Sequence, residues 1–152
     1  IATPFVAHFP KGIDAGLLNH SKGHITDIMP TCLELAGVEY PERFEGASLT
    51  PLAGQSLMPV FAGEDMERKS PLFFEHSGRK GVIDGNDKLV LLEPEVWELY
   101  DLSVDRSETH DRISIEDPER IAELILKYHQ WAADSGVFPK PVVNAKTVRY
   151  QK

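Results

Sequence analysis

Pro71–Leu102 reads PLFFEHSGRKGVIDGNDKLVLLEPEVWELYDL, and the fold turns on how its short apolar runs are punctuated. Phe73 and Phe74 sit in a bulky run that ends at Glu75-His76, and Ser77-Gly78 turns the chain. Gly81-Val82-Ile83 leads into Asp84-Gly85-Asn86-Asp87, a hairpin signal, because Gly and Asn tolerate positive φ. Lys88–Leu92 returns, Glu93-Pro94-Glu95 breaks the run, and Val96–Tyr100 follows with Trp97, Leu99 and Asp101 alternating onto one side. The pattern predicts an antiparallel sheet of four strands, which can keep one face open to solvent or to a ligand.

Downstream, Ser103–Glu116 is polar and acidic, and its composition predicts a solvated loop. Asp117-Pro118 then supplies a cap and a first-turn proline for a long helix. Ile121, Leu124, Ile125, Tyr128, Trp131 and Ala132 form its apolar stripe, whose natural cover is the sheet, and Gly136 closes it. The segment from Val137 onward, with Pro139 and Pro141, is expected to run extended over the surface.

Upstream, Thr3–Pro10 is a proline-bounded run read as a buried strand, with His8 a hydrogen-bonded core histidine. Lys11–Gly23 is a loop or hairpin with Lys11 on the surface. Thr26 or Asp27 can cap a following helix with Pro30 in its first turn, and Gly37 supplies a left-handed stop. Ile28, Met29, Cys32, Leu35 and Ala36 would form its buried face. Val38–Ser70 shifts to loop composition, with one helical turn expected at Ser56–Ala62. The predicted organisation is therefore residues 1–38, a connecting region 39–70, and a sheet-plus-helix unit 71–152.

The 152 residues carry 16 Lys and Arg against 24 Asp and Glu, a net charge of −8, with the acids scattered. That balance argues against nucleic acid and against an anionic membrane surface as partners. A single cysteine, Cys32, excludes an internal disulfide and a multi-cysteine zinc site, and its place on an apolar stripe predicts a small buried hydrophobe. No apolar run approaches the roughly 20 residues of a membrane span. The chain opens on Ile1 in a strand-like run and reads as a piece of a longer protein. His20, His24 and Asp27 could suggest a metal site, but loop placement makes a capping Asp27 and a hydrogen-bonded His24 the better reading. His110 and His129 read as solvent residues, and the run Asp101–Asp111 lacks the pattern of a calcium loop.

Three stretches then combine: TPFVAHFPKGI at 3–13, GHITDIMPTCLELAGVEYP at 23–41, and FFEH, DGNDKLV and WELYDLSVDRSETHD between 73 and 111. In this order and spacing they resemble the C-terminal third of the sulfatases, in the bacterial arylsulfatase-like branch. The resemblance implies an α+β fold, the C-terminal part of an alkaline-phosphatase-like architecture. A small four-stranded antiparallel sheet packs with one long helix, preceded by a strand and helix from the end of a large α/β domain.

It also implies a parent that hydrolyses small-molecule or carbohydrate sulfate esters using calcium and a formylglycine nucleophile, both outside this chain, and a periplasmic or secreted location. No catalytic, metal or cofactor residue is expected here, and the chain by itself is expected to be inactive. Cys32 is followed by Leu33-Glu34-Leu35-Ala36, unlike the family's Cys-X-Pro-X-Arg. Glu75-His76-Ser77-Gly78 is similar to the family's EHxGN element, which would bring His76 and Glu75 to the substrate. Arg79-Lys80 departs from the family's pattern, and a basic pair there suits a polyanionic substrate. A strand-end His76 that merely ties Glu75 or a carbonyl is the plain alternative. Two other classes stand beside the hydrolase: a non-catalytic binding or structural module of the same shape, and a related phosphatase or phosphonate hydrolase. The apolar faces of the first 38 residues, without a large sheet, predict self-association or packing of that unit onto the small domain.

Overall fold

The computed structural model describes residues 2–93 and 96–137; Pro94, Glu95 and the tail expected to run extended from residue 138 lie outside that description. The chain divides into two units, Ile1–Lys69 and Ser70–Lys152.

In the first unit, Thr3–Pro10 forms no strand among the described residues, and Phe5 and Val6 are 62% and 88% exposed. An extended segment becomes a strand only when a neighbour takes its backbone groups, and this unit offers none. His8 is accordingly exposed, contrary to the core role its sequence suggested, and Lys11 is exposed.

A 3-10 turn at Ile25–Asp27 leads into α1, Ile28–Ala36. His24 is the cap: its Nδ1 accepts from the Thr26 N–H, while Asp27 Oδ2 accepts from the His24 N–H at 2.7 Å. This is a capping box with an imidazole in the usual place of a hydroxyl. Gly37 stops the helix at φ 65°, and the Val38 N–H reaches back to the Leu33 carbonyl.

The face α1 buries is polar. Asp27 and Thr31 are buried, whereas Ile28, Met29, Cys32, Leu35 and Ala36 are exposed, which reverses the face expected from periodicity and corrects the buried Cys32. The reason lies in what the following chain provides. Thr31 donates to the Asp27 carbonyl and accepts from the Leu57 N–H at 2.9 Å. Asp27 accepts from the Gln55 N–H and, through both oxygens, from the guanidinium of Arg68 at 2.6 and 3.1 Å. Gly54 is required at this crossing, since a Cβ there would stand 2.1 Å from the Thr26 carbonyl oxygen. A two-residue hairpin pairs β1, Arg43–Phe44, with β2, Ala47–Ser48, and the predicted helical turn is α2, Met58–Phe61.

In the second unit β3 (Leu72–His76), β4 (Arg79–Asp84), β5 (Asp87–Glu93) and β6 (Val96–Asp101) form an antiparallel sheet in that order. Ser77 at φ 61° and Gly78 at φ 88° make the first turn, the left-handed pair that suits a two-residue hairpin. Asp117 caps α3, Pro118–Asp134, by accepting from the Glu119 N–H. Its stripe packs on the alternating residues of one sheet face. Val82, Leu89, Leu99, Leu124, Tyr128 and Ala132 form the core, flanked by Phe73, Trp97, Ile121, Ile125 and Trp131. Phe73 stacks on Trp131 with ring centroids 5.2 Å apart. Each fully buried leucine contributes about 1.5–3 kcal/mol to holding helix on sheet.

Charge fixes the helix's first half. Arg120 bonds Asp84 and Asp87, and Lys127 bonds Asp84, tying α3 to the β4–β5 hairpin. The acidic loop after β6 is built rather than merely solvated. Asp111 accepts from the Leu99 and Ile113 N–H groups, and the Arg112 N–H reaches the Leu99 carbonyl, so the loop closes the β6 edge. Asp105 accepts from the His110 and Thr109 N–H groups, which hold its carboxyl below the ordinary range, and Glu108 pairs with the buried Lys88.

Candidate functional site

The β3–β4 hairpin carries the predicted binding residues Glu75, His76, Arg79 and Lys80, and its register sorts them. His76 pairs with Arg79 and Glu75 with Lys80. Successive side chains on a strand point to opposite faces. Val82, two residues from Lys80, is in the core under α3, so Lys80 and its partner Glu75 lie on the helix side. His76 and Arg79 lie on the face turned away from α3. The structure therefore brings the four residues to one hairpin end but divides them into two pairs.

On the helix side both groups are engaged. Glu75 Oε1 accepts from the Gly78 N–H at 2.8 Å, bracing the turn across which His76 meets Arg79. The Lys80 ammonium stands over the rings of Tyr128, 5.3 Å from the centroid, and Trp97, at 5.9 Å. Such a cation over two π faces is held in place electrostatically. Burial raises the pKa of the Tyr128 phenol, and the Glu75 charge adds to it, so this ring stays a neutral platform.

On the other face His76 and Arg79 are both exposed. Neither side chain makes a hydrogen bond or ion pair with the described residues. A neutral imidazole can donate to or accept from a hydroxyl, and a guanidinium presents a fork of donors that fits an oxyanion. The pair can thus bind a polar, negatively charged group, while nothing in it can act as an activated nucleophile.

Period-two alternation counted back from Val82 carries the division of Arg79 from Lys80, a signal the reading of a basic pair passed over. Sequence gave no comparable sign that Tyr128 and Trp97 would receive Lys80, because that contact depends on how α3 crosses the sheet. Among the described residues no group of three or more His, Cys, Asp or Glu could hold a metal ion, and no helix is long and apolar enough to cross a membrane.

Residues 1–134 match the family described as N-sulphoglucosamine sulphohydrolase, C-terminal. An uncharacterized sulfatase of Schizosaccharomyces pombe is 29% identical over 93% of this chain, which corresponds to 26% of that protein. An N-acetylglucosamine-6-O-sulfatase of Bacteroides thetaiotaomicron is 30% identical over 71% of the chain and 20% of its own length. Among solved structures, Ps i-CgsB superposes with a TM-score of 0.67 at 23% identity, over 84% of this chain and 28% of that one. BT4656, in complex with its substrate D-glucosamine-2-N,6-O-disulfate, gives 0.58 at 22% identity, over 86% and 28%. The chain thus spans about a quarter of the length of the proteins it matches.

Proposed function

The chain belongs to the N-sulphoglucosamine sulphohydrolase C-terminal family, and on that premise we propose that it is the substrate-selecting flank of a sulfuric ester hydrolase acting on sulfated carbohydrate. The observation that carries this reading is the exposed cross-strand pair His76–Arg79, two donors without a partner among the described residues, set on a turn braced by Glu75. Similarity to an N-acetylglucosamine-6-O-sulfatase, and the sulfated glucosamine that BT4656 binds, support a saccharide over a simple aryl ester.

Hydrolysis of a sulfate ester needs a nucleophile at sulfur and fixed positive charge against the developing oxyanions. The calcium ion and formylglycine that the family resemblance implies do not fit these residues. Cys32 lies exposed on α1 in the wrong sequence context, and no metal-holding cluster exists among the described residues. In this reading both belong to the remainder of the protein, and this part binds and orients. His76 would bond the hydroxyls around the ester, Arg79 would meet negative charge, and Lys80 would hold the hairpin against α3.

The experiment is a panel of aryl and sugar sulfates assayed with the full-length protein beside His76→Ala. The expected result is hydrolysis of a sugar sulfate with a raised KM in the variant. Unchanged turnover and affinity across every substrate would remove His76 from the site. For the isolated chain we propose self-association through the exposed Phe5, Val6, Ile28, Met29 and Leu35.

A further inference from the structure

We propose that the chain following α3 adds a fifth strand to the sheet, with residues 142–150 paired along the outer edge of β3. This goes beyond the hydrolase reading and does not depend on it.

Register decides which backbone groups of β3 face outward. A two-residue turn joins His76 to Arg79, so that flanking pair exchanges hydrogen bonds, and Phe74 and Leu72 follow it at every second position. Phe73 and Glu75 therefore turn their N–H and C=O groups away from β4. Neither backbone has a partner among the described residues. The opposite edge shows how this sheet closes such a position. Leu99 on β6 also faces outward, and there the Asp111 carboxylate accepts its N–H at 2.9 Å while the Arg112 N–H reaches its carbonyl at 2.8 Å. Chain that follows β6 covers that side. β3 remains a template for one more strand.

The path of α3 selects the occupant. The helix crosses the sheet from the β4–β5 turn, where Arg120 holds Asp84 and Asp87, to β3, where Trp131 stacks on Phe73. Gly136 at φ 66° ends it, and the Val137 N–H returns to the Ala132 carbonyl, leaving Val137 against the same core as Phe73. The chain thus leaves the described residues on the β3 side of the sheet. The four residues 138–141 span roughly 13 Å when extended, more than the roughly 5 Å between neighbouring strands. Beyond them VVNAKTVRY, at 142–150, has no proline or glycine and is rich in the β-branched and aromatic residues that fit a pleated surface. Residues 138–152 carry Lys140, Lys146, Arg149 and Lys152 and no Asp or Glu, in a chain of net charge −8. A basic strand suits an edge that presents Glu75.

The test is amide hydrogen exchange at Phe73 and Glu75 in the full-length protein, wild type beside Lys146→Pro and Thr147→Pro. Adjacent residues of a strand turn their N–H groups to opposite sides, so one of these prolines removes a bond to β3 and the other does not. In the wild type both amides should exchange at least about 100-fold more slowly than in a free peptide. One proline should restore fast exchange and its neighbour should leave it slow, with the Leu89 amide in mid-sheet protected in both variants. Fast exchange at Phe73 and Glu75 in the wild type overturns the proposal, as does protection lost equally with both prolines or with neither. Where neither proline acts, protection that weakens on dilution assigns the edge to a second copy of the chain, and protection independent of concentration assigns it to another part of the protein.

Discussion

The Lys80 ammonium stands 5.3 Å from the centre of the Tyr128 ring, bridging the β3–β4 hairpin to the middle of α3. With Trp97 at 5.9 Å it forms a cation held between a strand and a helix. The stem of Lys80 continues the face that begins with Val82, so the residue both packs and attracts. Lys80→Ala should therefore lower stability by about 1 kcal/mol, within the range for partly desolvated cation–π contacts. Lys80→Arg should keep most of it. Thermal melts of the full-length protein decide the matter: if Lys80→Ala melts with the wild type, the contact contributes nothing.

The Asp27 carboxylate makes stability depend on acid. Burial pushes its pKa up, but hydrogen bonds from Arg68 and from the Gln55 and His24 N–H groups outweigh that and hold it below the ordinary carboxylate value. A depressed folded-state value means stabilisation that is fully present above the unfolded pKa and lost as pH falls through the folded one. Asp27→Asn should cost about 1.5–3 kcal/mol at neutral pH, since the half-buried Arg68 loses its charged hydrogen-bond partner. The gap between wild type and variant should then narrow below about pH 4. Denaturant midpoints measured from pH 7 to pH 3 test this, and a gap constant across that range would refute the role given to Asp27.

Gly54 offers a backbone test of the same crossing. Its missing Cβ is what lets the chain pass the Thr26 carbonyl, and a carbonyl oxygen 2.1 Å away cannot swing aside as a side-chain tip could. Gly54→Ala should destabilise by about 1–3 kcal/mol, the usual cost of forcing a backbone shift in a packed site. Gly23→Ala is the control, since its Cβ would find only Leu57 Cδ2 at 3.7 Å. Equal melting temperatures for the two variants would mean that the 54–57 segment yields freely.

How far the sequence could be read depended on whether a residue's partner was local. The four strands and α3 were legible because Ser77-Gly78, Asp84-Gly85-Asn86-Asp87 and Asp117-Pro118 fix turns and caps by their own chemistry. The stripe from Ile121 to Ala132 also had a sheet beside it to cover. Around α1 the same reasoning misled. The period of Ile28, Met29, Cys32 and Leu35 says which side chains would gain from cover and is silent on whether this chain provides it. Asp27 read as a helix cap and Thr31 carried no signal of its own, yet both are buried because Gln55, Leu57 and Arg68 arrive from 26 to 41 residues away. Four binding residues were named on one hairpin, and alternation alone would have separated His76 and Arg79 from Glu75 and Lys80.

The exposed stripe of α1 leads to the last expectation. Ile28, Met29 and Leu35 are each more than two-fifths exposed, and Phe5 and Val6 more so. Scattered apolar residues on a surface need no explanation, but a row on one helix face gives water a contiguous apolar strip. Burying that strip between two copies gains about 25 cal/mol for each Å² removed from water, so association strengthens as concentration rises. The isolated chain should therefore elute as more than a monomer at tens of micromolar and bind an apolar dye when diluted. Ile28→Lys with Met29→Glu should abolish both while leaving the unit from Ser70 onward folded, because both positions belong to the first unit. A clean monomer at every concentration, with no dye bound, would show that the strip is too small or too broken to drive association.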